Sequence, residues 1–384
     1  MTLKPTAEMM RFLKRAGQFV IAAAVLTLVL EVALSIISRV VDLPFPVASY
    51  NSRLVSRINL HADMDSTFGI WHQPNFSARQ TGPCFDAMFS TNRWGARDDQ
   101  WTFRPTDTHG ILLGDSFLEG YGVNENERAS EVFEQKTGFK LLNLATAGHC
   151  GPTQYRLIYE SFKDSLAHDF VLVGLNLPND LGDEDPSLWT KRKRYRPYLE
   201  GQYPQYTLAY HTVPISRSVF SRKKTSQSLM KNILSEYSNV YHAATYILAQ
   251  RPTAPADAAP EEGSSSSKEF TTQDEENAWK VIYNLEQIKV LAGDRPVFVF
   301  FVPNLAYTAT PQHPVFDFLR AHLRDKHIHL LELSSSLNSQ LNDGGFMTCD
   351  VHWSIAGNAW VGEALATAFD EAQPATAGAP EETK

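Results

Sequence analysis

Ile111-Leu112-Leu113-Gly114-Asp115-Ser116-Phe117 decides how this chain folds. The run from His109 to Leu113 is short, apolar and without alternation, so it reads as a strand buried on both faces. Gly114 and Asp115 then break it into a tight turn that opens a helix. The turn puts a single serine forward. A serine hydroxyl is a weak nucleophile at neutral pH unless a base takes its proton, so a serine displayed in this way calls for a histidine elsewhere. Near the C-terminus, Cys349-Asp350-Val351-His352-Trp353 brings an imidazole and a carboxylate together, the residue types of a Ser-His-Asp relay. The two stretches together point to ester or acyl-transfer chemistry through an acyl-serine.

Working outward from Ser116, apolar runs and helical patterns alternate. A helix is expected over 129–136, a strand over 140–144, a helix over 154–166 and a strand over 169–175. After an interruption come a helix over 275–292, a strand over 296–302, a helix over 315–326, a strand over 328–333 and a last helix over 356–369. This predicts an α/β fold, a three-layer α/β/α sandwich around a five-stranded parallel sheet, with Ser116 after the first strand and His352 in a loop after the last. Sites in such sheets lie beyond the carboxyl ends of the strands, which places both residues on one rim.

The remainder divides by composition. Residues 43–106 read as an irregular lead-in, with a short strand and turn near Phe89–Arg97. The catalytic domain is expected over 107–372, with an insertion at about 182–274, and residues 373–384 form an Ala/Pro/Glu tail. The insertion holds tyrosines between Tyr195 and Tyr210, then Leu229 to Leu248 at helical spacing with one continuous apolar face. A flexible Ala/Pro/Ser stretch from Arg251 to Lys268 follows.

The first 42 residues are of another kind. Lys4, Arg11, Lys14 and Arg15 precede an apolar stretch from Phe19 to Ile37, about 28 Å long as a helix at 1.5 Å per residue and close to the ~30 Å of a bilayer core. By the positive-inside rule the N-terminus is cytoplasmic and everything past Asp42 is outside, in a periplasmic or extracytoplasmic compartment. The stretch exceeds a signal-peptide core and lacks a small-x-small cleavage site, which favours an uncleaved anchor. Glu31 is expected toward its outer end, where a charge costs least. A net charge of −8 over 384 residues, with no clustered basic face of the size phosphate binding needs, argues against nucleic acid as a partner.

Four blocks follow one another along the chain: Gly114-Asp115-Ser116, Asn143 to Gly148, Asn176-Leu177-Pro178-Asn179-Asp180 and Asp350-Val351-His352, with Asn92-Arg93-Trp94-Gly95-Ala96-Arg97 leading in. This set resembles the SGNH, or GDSL-type, hydrolase superfamily, in particular its bacterial membrane-anchored branch. The resemblance covers about Asn92–Asp180 and Asp274–Phe369 and leaves the insertion unexplained. It implies Ser116 as nucleophile, His352 as general base and Asp350 as its orienting carboxylate. It also implies an oxyanion hole made of the Ser116 and Gly148 backbone N–H groups and the Asn179 side-chain amide. Here the acid and base are spaced Asp-x-His rather than the family's commoner Asp-x-x-His, with Asp343 as a reserve carboxylate. The Asp-x-His-Trp segment is similar to that of SGNH-type polysaccharide O-acetyltransferases. The resemblance therefore implies an acylated, more specifically O-acetylated, carbohydrate as substrate, with an esterase or a transferase fed by an acyl-donor membrane protein as alternatives. A third is a non-catalytic envelope assembly protein. No metal and no organic cofactor is implied.

His149, Trp353 and Asp115 are candidate substrate contacts, weighed against simple packing. Trp353 and the insertion tyrosines would suit a sugar-stacking wall or a core equally. Lys191-Arg192-Lys193-Arg194 is a basic cluster fit for an anionic glycan, for lipid headgroups or for a solvated loop. Of three cysteines, Cys84 is expected unpaired, while Cys150 and Cys349 flank the two motifs and are either bridged or small buried thiols.

Overall fold

The computed structural model describes residues 7–48, 63–103, 107–147, 150–190, 195–210, 229–250, 270–309 and 313–372. Helix α1 (Ala7–Ile37) is long and apolar enough to cross a membrane, and no residue of its apolar window is fully buried in the protein. Two antiparallel hairpins follow, β1 (Asp63–Asp65) with β2 (Gly69–Trp71) and β3 (Ser77–Thr81) with β4 (Asp86–Ser90). The lead-in read as irregular is therefore partly sheet. Its strands are too short and too polar to announce themselves, since only small or isolated residues such as Ala78, Ala87 and Phe89 face inward.

The α/β part runs β5 (His109–Leu113), α2 (Ser116–Glu119), α3 (Ala129–Thr137), β6 (Lys140–Asn143), α4 (Pro152–Phe162), β7 (Phe170–Leu175), α5 (Leu177–Asp183) and α6 (Pro186–Thr190). The insertion contributes a third hairpin, β8 (Pro197–Gln202) with β9 (Gln205–Tyr210), and two helices, α7 (Leu229–Tyr237) and α8 (Asn239–Gln250). Then come α9 (Thr272–Ala292), β10 (Val297–Phe301), α10 (Leu305–Ala309), α11 (Pro314–Leu323), β11 (His329–Leu331), α12 (Ser335–Gln340) and α13 (Ile355–Ala372).

The central sheet has five strands in the order β6-β5-β7-β10-β11, all parallel. This is the α/β/α sandwich expected from the apolar runs. Every residue of β5, β7 and β10 is buried, and alternate side chains serve opposite layers. Ile111, Val171, Val173, Val297 and Val299 pack under α4, α9 and α11. Leu112, Leu172, Phe298 and Phe300 pack under α3 and α13. The order doubles back beside β5, so the crevice at its carboxyl end opens between β5 and its neighbours, and Ser116 sits there.

The apolar stretch from Leu229 to Leu248 is two helices rather than one. Ser238 separates them, and its Oγ accepts the Tyr241 N–H at 3.0 Å as the cap of α8. The Arg251–Lys268 stretch, the basic cluster 191–194 and the tail 373–384 lie outside the described residues.

Candidate active site

Ser116 is the first residue of α2, directly after the turn that ends β5. Asp115 caps that helix by accepting the Phe117 N–H at 3.0 Å. Its second oxygen accepts Asn176 Nδ2 at 2.6 Å and, less closely, Asn179 Nδ2 at 3.4 Å. Asn176 in turn accepts Asn304 Nδ2 at 2.5 Å, so the ends of β5, β7 and β10 are laced together by buried side chains. Burial pushes the Asp115 carboxyl above the usual range against the pull of these hydrogen bonds. Gly114 is required for close approach, because a Cβ there would stand 2.4 Å from Leu118 Cδ1. Gly120 ends α2 at φ +80°, a conformation that favours glycine.

Arg97, 1% exposed, closes the far side of the turn. Its Nη1 donates to the carbonyls of Glu119, at 3.1 Å, and Gly120, and its Nη2 donates to those of Val123, at 2.5 Å, and Met88, at 3.3 Å. A helix as short as α2 leaves its C-terminal carbonyls without intrahelical donors, and this guanidinium fork supplies them. Burial brings the group down to about 10, so it stays charged at neutral pH. Asn92 shapes the approach to Arg97 by accepting the N–H groups of Trp94 at 2.9 Å and Ala96 at 3.2 Å.

His352 meets this turn from the other end of the chain. Ser116 Oγ and His352 Nε2 are 2.7 Å apart, and His352 Nδ1 lies 2.5 Å from Asp350 Oδ1. The same carboxylate oxygen accepts the His352 backbone N–H at 3.2 Å. With Nδ1–H donating to Asp350, Nε2 is free to accept the serine proton. The imidazole packs against two tilted rings, Phe117 at 4.7 Å and Tyr121 at 4.5 Å between centroids. Burial raises the Asp350 carboxyl, but the hydrogen bond and charge of His352 with the His352 and Val351 N–H groups outweigh it and hold the group below the usual range. Tyr121 is pushed up to about 12, first by burial and then by the charges of Asp350 and Glu119, so it remains a neutral phenol.

The loop carrying Asp350 and His352 is tied down at several points. Cys349 is disulfide-bonded to Cys84, in the turn of the β3–β4 hairpin, while Cys150 is a free thiol within the core. Cys84 is therefore paired and not unpaired as expected, and Cys150 is the small buried thiol of its two alternatives. Met347 N–H donates to His352 O at 2.9 Å, and Trp353 Nε1 donates to Pro303 O at 2.9 Å. Trp353 is 1% exposed and packs edge-on against Phe117. It supports the loop from beneath, in keeping with the packing alternative. Asp115 is likewise buried and caps α2.

The structure thus brings Ser116, His352, Asp350 and Asn179 to one rim. Gly148 and His149 lie outside the described residues, and the Asn143 amide is buried against Leu118 O. Asp343 belongs to the preceding turn, and the carboxylate at the imidazole is Asp350. Among the described residues no group of His, Cys, Asp or Glu is placed to hold a metal ion. Arg97 and Tyr121 were not singled out from sequence for these contacts. Arg97 stands in the quoted lead-in motif, but its partners are carbonyls, which leave no trace in side-chain pattern. The arrangement can move a proton from a serine hydroxyl to an imidazole held by a carboxylate.

No family model matches this chain, and no curated protein matches it. Among solved structures it is similar to a putative lipolytic protein of the G-D-S-L family from Desulfitobacterium hafniense, at 11% identity and TM-score 0.35, over 68% of this chain and 99% of that one. It is also similar to a carbohydrate esterase family 2 enzyme plus carbohydrate-binding domain from Corynascus thermopiles (Myceliophthora fergusii), at 14% identity and TM-score 0.37, over 71% of this chain and 68% of that one. A third is the lipase/acylhydrolase from Enterococcus faecalis, at 11% identity and TM-score 0.35, over 69% and 96% of the two chains. Likenesses this distant are likenesses of fold alone.

Proposed function

We propose that this protein is a serine esterase of the SGNH type, anchored by α1 with its catalytic domain outside the membrane, that removes ester-linked acyl groups from a carbohydrate. One observation carries the reading: the unbroken line from Ser116 Oγ through the His352 ring to Asp350, at 2.7 and 2.5 Å. Ser116 Oγ attacks the ester carbonyl carbon while its proton passes to His352 Nε2, and Asp350 steadies the resulting imidazolium. The carbonyl oxygen becomes an oxyanion, held by the backbone N–H groups of Ser116 and Gly148 and the Asn179 amide. His352 then returns the proton to the departing alkoxide, leaving an acyl-Ser116. Water, giving its proton to His352, releases the acid and restores the serine.

The carbohydrate and the acetyl group rest on the likeness of Asp350-Val351-His352-Trp353 to the segment of polysaccharide O-acetyltransferases. The same likeness supports a second reading, in which a sugar hydroxyl resolves the acyl-enzyme in place of water. Labelling with a fluorophosphonate probe tests the common core: Ser116→Ala is expected to abolish it and His352→Ala to slow it by about 10³-fold or more. Undiminished labelling of His352→Ala would discredit the assigned base. Acetylation of an added oligosaccharide from an acyl donor, faster than release of free acetate, would favour the transferase.

A further inference from the structure

Glu31 is a carboxylate in the apolar part of α1, and the insertion meets it. Its oxygens accept the Ser238 hydroxyl, the Asn239 N–H at 2.7 Å and the Val240 N–H at 3.2 Å, which are the leading donors of α8. An anion at a helix N-terminus is favoured by the dipole and by the unpaired N–H groups there. The chain leaving α1 then folds back on the same helix: Ala48 N–H donates to Asn239 Oδ1 at 2.9 Å, and Phe45 packs on Tyr246 with ring centroids 5.8 Å apart. The insertion is thus fastened to the anchor rather than only to the catalytic domain.

Depth follows from that fastening. Glu31 lies six residues before Ile37, the end of α1, or about 9 Å along the helix axis at 1.5 Å per residue. Amphipathic helices lying in a membrane interface sink about 5–10 Å into the headgroup and acyl boundary. The start of α8 is therefore held at the depth such helices occupy. Both insertion helices also leave an apolar stripe uncovered: Ala244, Ile247 and Leu248 on α8, Met230 and Ile233 on α7. At its other end α8 reaches the active-site loop, where Gln250 Nε2 donates to Thr348 O at 3.4 Å, next to Cys349.

We propose that α7 and α8 lie in the outer-leaflet interface with these stripes inserted, the bilayer being their partner. In this way they hold the Asp350–His352 loop within about 20 Å of the membrane surface, the length of α8 at 1.5 Å per residue. The ester presented to Ser116 then belongs to a membrane-associated molecule. This rests on the reading of α1 as the anchor.

The test uses the full-length protein in phosphatidylcholine/phosphatidylglycerol vesicles, with single fluorophore labels at Ile247→Cys, Ile233→Cys, Val25→Cys and Asp164→Cys. Quenching is read with lipids spin-labelled shallow or deep in one acyl chain. Labels at 247 and 233 are expected to be quenched at least twofold more by the shallow spin than by the deep one. Val25 should show the reverse, and Asp164 little of either. Quenching at Val25 without quenching at 247 and 233 overturns the proposal and leaves the anchor intact, whether the labels report water or a protein cover. If Val25 escapes quenching, the anchor reading falls and the proposal with it.

Discussion

The two halves of the candidate site are built differently. The Ser116 half is buried: Asp115 is 3% exposed and Arg97 1%, and the chain from Asn304 through Asn176 to Asp115 fixes the turn from below. The His352 half lies nearer the surface, its imidazole and carboxylate 15% and 27% exposed, and is held by a disulfide, two tilted ring contacts and a few loop hydrogen bonds. A nucleophile gains from being immovable, whereas a base must accept and return a proton in every turnover beside a bound substrate. The contrast teaches that damage on the serine side should appear first as lost stability and damage on the histidine side first as lost rate.

The largest expected effect is on the histidine side. Asp350→Asn replaces the acceptor-only carboxylate that fixes the imidazole tautomer with an uncharged amide that can also donate, and is expected to lower kcat by about 10²–10⁴-fold with little change in Tm, measured by ester hydrolysis and thermal denaturation. A rate near wild type would mean that the carboxylate adds nothing to the base. On the serine side, Arg97→Met strips the carbonyls of Glu119, Gly120 and Val123 of their donors and is expected to cost about 3–5 kcal/mol, read by denaturant unfolding. Arg97→Lys should recover only part, because an ammonium cannot span the same fork. A stable Arg97→Met variant that loses only rate would erase the contrast.

A smaller effect sharpens it. Replacing both Cys84 and Cys349 by serine frees the loop without touching the Ser116 turn, and kcat is expected to fall about tenfold through a wandering imidazole. The fluorophosphonate labelling rate checks this, and no change would show that the rings and loop hydrogen bonds hold His352 without the disulfide. The smallest effect is in pH. The Asp350 carboxyl is held lower in the folded chain than in the unfolded one. Its stabilising contribution is therefore complete above its unfolded value of about 4 and is lost as pH falls through the lower folded value. Wild type should lose its Tm advantage over Asp350→Asn as pH falls below about 4.

Much of this architecture could be read from local pattern. The runs at 109–113, 140–144, 169–175, 296–302 and 328–333 each contain a strand of the parallel sheet. The three central ones are buried along their whole length, which demands a nearly continuous apolar run. The hairpins of residues 63–90 were missed because an edge ribbon with a few small inward residues leaves no comparable signal. The stretch Leu229–Leu248 looked like one helix since periodicity persists across Ser238. At the break, Ser238 and Asn239 donate to Glu31, some two hundred positions earlier in the chain.

The amino-acid order by itself determined which segments form the sheet and which residues stand at its strand ends, because burial and turn chemistry act over a few neighbouring positions. Only tertiary structure decided that Cys84 and not Cys150 meets Cys349, that Trp353 lies under the loop rather than over the substrate, and that Arg97 serves carbonyls of α2. Those outcomes depend on which distant surfaces the packed layers bring within bonding distance, and no periodicity along the chain encodes that.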